Sequence, residues 1–133
     1  MERKDIDFYQ VLGKLFYAVA ATDKRVVAEE INAFKKYLKT KWIKAEEFKN
    51  HNNYEGIKQI YLTFEALNQQ DSPDPETYFE AFIKFKKNNE HLFSKNLKQL
   101  ISSTAHAIAN SYARKNKSEL IMLAQLDLEL KKE

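Results

Sequence analysis

The sequence predicts an all-α fold: a compact bundle of about six helices forming a single domain over residues 1–133. Three observations predict it. Apolar residues recur at one-three-four spacing, as in Val11, Leu12, Leu15, Phe16 and Val19, which places them on one helical face. Two glycines and two prolines leave little material for the tight turns of an all-β domain or for a glycine-rich phosphate loop. A hydrophobic share of 44% beside 31% charged residues fits a globular helical chain rather than a disordered one. A chain of this length buries roughly two-thirds of its unfolded surface, enough for a core without staples.

The first helix is predicted from Asp5 or Asp7 to Thr22, with an aspartate where the helix dipole favours one. Small residues near its end, Ala18, Ala20 and Ala21, let another helix approach closely. A polar break at Asp23, Lys24 and Arg25 leads to a second helix over residues 28–39 that buries Ile31, Phe34 and Leu38. Lysines 35, 36, 39, 41 and 44 surround Trp42. Two readings of Trp42 stay open: a ring folded back onto the core beneath a solvated lysine face, or a basic aromatic surface for a partner.

Residues 44–53 are polar. Asn52 and Glu55 have capping-box spacing ahead of a third helix whose stripe is Ile57, Ile60, Tyr61, Phe64 and Leu67. The clearest loop follows, and Asp74 with Pro75 reads as the N-cap and first residue of a fourth helix over residues 75–87. Asp71, Asp74 and Glu76 invite a calcium reading, but no glycine supplies the sharp turn and no distal bidentate glutamate follows, so capping explains them. The fourth helix is aromatic (Tyr78, Phe79, Phe82, Phe85), with Phe79 and Phe82, beside Trp42, as candidate partner-binding residues. Ser94 caps a fifth helix over residues 95–112 with the stripe Leu97, Leu100, Ile101, Thr104, Ala105, Ile108, Ala109 and Tyr112. Asn116 and Glu119 repeat the capping-box spacing and open a sixth helix carrying Leu120, Ile121, Leu123, Ala124, Leu128 and Leu130.

The first and last helix pairs match at an offset of 89 residues: Leu12 over Ile101, Val19 over Ile108, Ala20 over Ala109, Glu30 over Glu119. Such pairs predict a bundle with an approximate internal two-fold repeat. Asp23, Glu29 and Glu30 gather acidic oxygens between a helix end and the next helix start, the arrangement in this sequence that most looks like a site.

The run LFYAVAATDKRVVAEE resembles the signature of the TerB-like, tellurite-resistance helical domains, which reads approximately apolar-A-x-A-D-G-x-apolar-S-x-x-E and has a related second motif near the C-terminus. The resemblance implies a compact all-helical domain of bacterial stress-response systems, with protein partners that can be membrane-associated. It also implies clustered acidic residues proposed to bind a metal ion, a divalent cation such as Ca²⁺ being the candidate, with no other cofactor assigned. On the matching positions, Asp23 stands for the motif aspartate, Glu30 or Glu29 for the glutamate and Glu119 for the second glutamate, which gives the metal candidates Asp23, Glu29, Glu30 and Glu119. Three positions depart from the pattern. Lys24 replaces the glycine, Val27 the serine or threonine cap, and Tyr112 the second aspartate.

Other classes find less support. Without cysteine there is no disulfide, thiolate metal site or cysteine nucleophile. A net charge of +3, from 22 basic and 19 acidic side chains, is too balanced to indicate nucleic acid. No apolar run approaches the ~18 residues of a membrane span. The opening MERKDIDFYQ lacks the apolar region of a signal peptide, so a cytoplasmic chain is expected. His51 and His91 fall in loops, and His106, one turn from Ser102, reads as a hydrogen-bonded structural histidine. No HExxH, nucleotide loop or nucleophile elbow is present, so the expectation is a non-enzymatic domain.

Overall fold

The helices form where the apolar spacing places them. A computed structural model describes residues 3–23, 25–45, 53–70, 74–111 and 117–132, the side chains of Arg3, Lys4 and Asn53 aside. They make six α-helices: α1 (Arg3–Ala20), α2 (Ala28–Tyr37), α3 (Asn53–Asn68), α4 (Pro75–Asn88), α5 (Lys95–Asn110) and α6 (Lys117–Lys131). No strand occurs among the described residues, and none of their helices is long and apolar enough to cross a membrane. The expected roles of Lys24, His51, Asn52, Asp71, Tyr112 and Asn116 lie outside the described residues.

Two starts follow their predicted caps. The Asp74 carboxylate accepts the Thr77 N–H and, at 2.7 Å, the Thr77 hydroxyl, with Pro75 opening α4. Ser94 Oγ accepts the Leu97 N–H at 3.1 Å ahead of α5. α2 runs without a break into a π-helical turn, Leu38–Trp42, which turns Trp42 fully inward.

α1 is the axis of the bundle and packs against α3, α4, α5 and α6. Every residue from Val11 to Ala21 except Lys14 is buried, so this helix is apolar on more than the single stripe its spacing shows. Both glycines of the chain serve one crossing. A Cβ on Gly13 would stand 2.6 Å from the Ile60 carbonyl oxygen, and a Cβ on Gly56 would overlap the Tyr9 ring. Each helix thus yields a side chain where the other comes closest. The core between them is aromatic: Phe34 lies 4.5 Å from Phe64 and 5.5 Å from Phe16, centroid to centroid, and Tyr17 meets Phe64 and Tyr78 edge-on.

α2 packs on α5, and α5 on α6. The indole Nε1–H of Trp42 donates to Thr104 Oγ1 at 2.9 Å, fastening the turn after α2 to α5. The C-terminal end of α6 is held by cations. Lys86, 1% exposed, pairs with Glu90 at 2.8 Å and also donates to the Lys132 carbonyl, as does Lys98, where a helix end favours positive charge.

Candidate functional site

The acidic joint forms where α1 hands over to α2 and where α6 begins. Glu30 and Glu119 are each the third residue of their helix, and each is 4% exposed. Val27, at the N-cap of α2, has no side-chain acceptor to offer. Instead Glu30 Oε1 reaches back to accept the Val27 N–H at 3.0 Å, half of a capping box. Asp23 is exposed and its Oδ1 accepts the Arg25 N–H at 3.1 Å, closing the turn. Glu29 is exposed.

Burial pushes the Glu30 carboxyl up to about 7. The Val27 N–H opposes this, whereas repulsion from Glu119, Asp23 and Glu29 adds to it. Glu30 is therefore poised to gain or lose a proton near neutrality. The charge of Glu119 acts on it directly, so the two matching glutamates of the repeat meet electrostatically in one place.

The described residues form no ready-made cage for the cation that the resemblance implies. A hard cation such as Ca²⁺ takes six to eight oxygens. Among the described residues no group of three or more His, Asp or Glu is arranged to hold a metal ion. Asp23 and Glu29 stay on the exposed side while Glu30 and Glu119 are buried, and Asp23 and Glu30 each already spend an oxygen on a backbone N–H. The four carboxylates share a field without forming a cage.

Of the candidate partner-binding residues, Trp42 and Phe82 are core, and Phe79 keeps only an edge on the groove between α4 and α6. Trp42 and Phe82 are fully buried and Phe79 is 8% exposed. Trp42 is bonded to Thr104 and stacked edge-on against Phe16 at 5.8 Å, so it presents no surface. Phe82 packs on Phe93 in the same way. These aromatic side chains bury too much apolar area to remain at the surface when core space lies beside them.

His106 is a structural histidine. Its Nε2 lies 2.8 Å from Asp127 Oδ2, and Ser102 Oγ donates to Asp127 Oδ1 at 2.8 Å. The aspartate stands between serine and histidine, so the histidine has no contact through which to take the serine proton. Asp127 lies 25 residues from Ser102, and no local pattern announces that pairing. Lys86 with Glu90, by contrast, carries the i,i+4 spacing that makes such a pair legible.

The surface feature missed from sequence is on α6. Of its apolar residues, Met122, Leu123, Leu126 and Leu130 are buried, whereas Leu120, Ile121 and Leu128 are exposed large hydrophobics. Ile121 borders a groove of about 1110 Å³ between α4 and α6 whose lining includes Phe79, Ile83 and Met122. No protein-family model, curated protein or solved structure matches this chain.

Proposed function

We propose that this chain is a non-enzymatic helical interaction module of TerB-like layout, which docks a protein partner through the outer face of α6 and the groove beside it. In the setting that the sequence resemblance implies, that partner belongs to a bacterial stress-response assembly. The supporting observation is the exposure of Ile121 (48%) and Leu128 (62%), two helical turns apart on the side of α6 turned away from its buried leucines. Apolar side chains in register beside a groove are what a helix-in-groove contact uses.

The second reading is a domain that takes up a divalent cation at Asp23, Glu30 and Glu119; the repulsion among these carboxylates favours it. An amide NMR titration with Ca²⁺, Mg²⁺ and Zn²⁺ separates the two, with the Asp23→Asn, Glu30→Gln variant as control. The module reading expects no saturable shifts at millimolar metal. Saturable shifts confined to residues 23–30 and Glu119, and lost in the variant, would replace it with the cation reading.

A further inference from the structure

We infer that the α4–α6 groove binds a second copy of this chain, forming a two-fold dimer in which α6 of each copy lies across the groove of the other. The inference rests on the module reading and names its partner. Its first support is the apolar seam. Ile121 and Leu128 point away from the side of α6 that carries the buried Leu123, Leu126 and Leu130, and the adjoining groove offers Phe79, Ile83 and Met122. In the monomer this ridge and this groove lie side by side, so one surface carries both the protruding and the receiving element.

Charge decides between a second copy and an unrelated helix. α4 and α6 run parallel. The beginnings of both, Glu76 and Ser118, line the same groove, and their ends meet where Lys86 Nζ donates to the Lys132 carbonyl. One end of the groove is acidic, with Asp74, Glu76 and Glu80; the other carries Lys84 and Lys87. Glu129 at that basic end pairs with Lys132 at 2.8 Å and is also attracted by Lys87 and Lys86, so the lysines there outnumber the one carboxylate. A two-fold axis perpendicular to parallel helices makes the copies antiparallel. The acidic end of each groove then faces the basic end of the other, and both contacts are attractive. A polarised surface of this kind is complementary to itself, whereas an arbitrary partner has no reason to match it.

Sedimentation of the full chain from micromolar to millimolar concentration tests the inference. Wild type is expected to rise from the mass of one chain to twice that mass. Ile121→Lys with Leu128→Lys should remain at single mass with unchanged circular dichroism, because both positions are exposed. Charge reversal is the sharper arm. Glu76→Lys, Glu80→Lys makes the acidic end net basic, with the capping Asp74 kept, and Lys84→Glu, Lys87→Glu makes the basic end acidic. Each variant alone should stay monomeric, and an equimolar mixture should recover the doubled mass. Wild type that remains monomeric throughout overturns the inference. So does a dimer that survives the Ile121 and Leu128 substitutions, or a mixture that does not associate. The metal titration reads the underlying module proposal whatever the oligomeric state, so the two can fail separately.

Discussion

The α1–α2 and α5–α6 hairpins share one stripe and differ in another, and the difference decides which helix becomes the axis. At the offset of 89, Leu12, Leu15, Phe16, Val19 and Ala20 correspond to Ile101, Thr104, Ala105, Ile108 and Ala109, and all ten are buried. The second face of α1 is Val11, Gly13, Tyr17 and Ala18, continued by Ala21 just past its end, again all buried. Its counterparts on α5 are Leu100, Ser102, His106, Ala107 and Asn110, which are half-buried or exposed. α3 and α4 therefore pack on α1, while the matching face of α5 is occupied by the polar group that Ser102 and His106 form with Asp127. One shared stripe makes a hairpin; a second apolar stripe makes it central.

The strongest way to break this comparison is at Trp42, for which the second hairpin has no equivalent; the offset position is the exposed Lys131. Trp42→Ala opens a large cavity between the turn after α2 and α5 and leaves Thr104 without its indole donor. A loss of about 3 to 5 kcal/mol is expected from urea denaturation. A loss below about 1 kcal/mol would mean that the first hairpin is not anchored to α5 through this ring.

The axial role of α1 is tested at Gly13. In Gly13→Ala the new methyl meets the Ile60 carbonyl oxygen, a backbone atom that cannot rotate aside. Overpacking of this kind is expected to cost about 2 to 3 kcal/mol. Gly56→Ala meets first the Tyr9 ring, a side chain rather than a backbone atom, so its loss in the same urea experiment should be smaller. Ser102→Ala, at the α5 position matching Gly13, removes one half-buried hydrogen bond to Asp127 and should cost about 1 kcal/mol. Equal losses at Gly13 and Ser102 would erase the distinction between the axial and the peripheral helix.

Most of the helices were legible because their signals are local. Asp74 and Ser94 cap the helices they precede, and the stripes of the third, fourth and fifth helices face the core or its margin. The outer face of α6 was not legible, since a helix apolar nearly all round does not say which leucines go inside. Leu123 and Leu130 are buried whereas Leu120 and Leu128 are not; the single face of contact with α5 and α1 makes the choice. Trp42 was open between core and surface because a π-helical turn, which no propensity pattern marks, sets its direction. Few glycines ruled out folds, yet their placement at the α1–α3 crossing depends on helices 43 residues apart, Gly13 and Gly56. The acidic joint was legible as a cluster through the repeat. Its division into two buried and two exposed carboxylates follows from tertiary packing.

That division gives a modest effect with the clearest sign. Glu30 titrates at about 7 in the folded chain, against an ordinary value of 4.5. Below 4.5 the carboxyl is protonated in both folded and unfolded chains and contributes no penalty. Between 4.5 and 7 the folded chain holds more protons than the unfolded one, so stability falls as pH rises. Above 7 both are ionised and the full penalty, at most about 3 kcal/mol, is present. Glu30→Gln cannot ionise, but its amide oxygen can still accept the Val27 N–H, although less strongly than a carboxylate. The variant is therefore expected to be about 1 to 2 kcal/mol more stable than wild type at pH 8 and no more stable at pH 4.5, by urea denaturation at each pH. Glu119→Gln sharpens the comparison. Without the Glu119 charge the Glu30 carboxyl moves back toward its ordinary value, so the gain from adding Glu30→Gln in that background should shrink. Parallel stability curves for wild type and Glu30→Gln across this range would show that the carboxylate is solvated in the folded chain. An undiminished gain in the Glu119→Gln background would show that the two glutamates of the repeat do not meet at this joint.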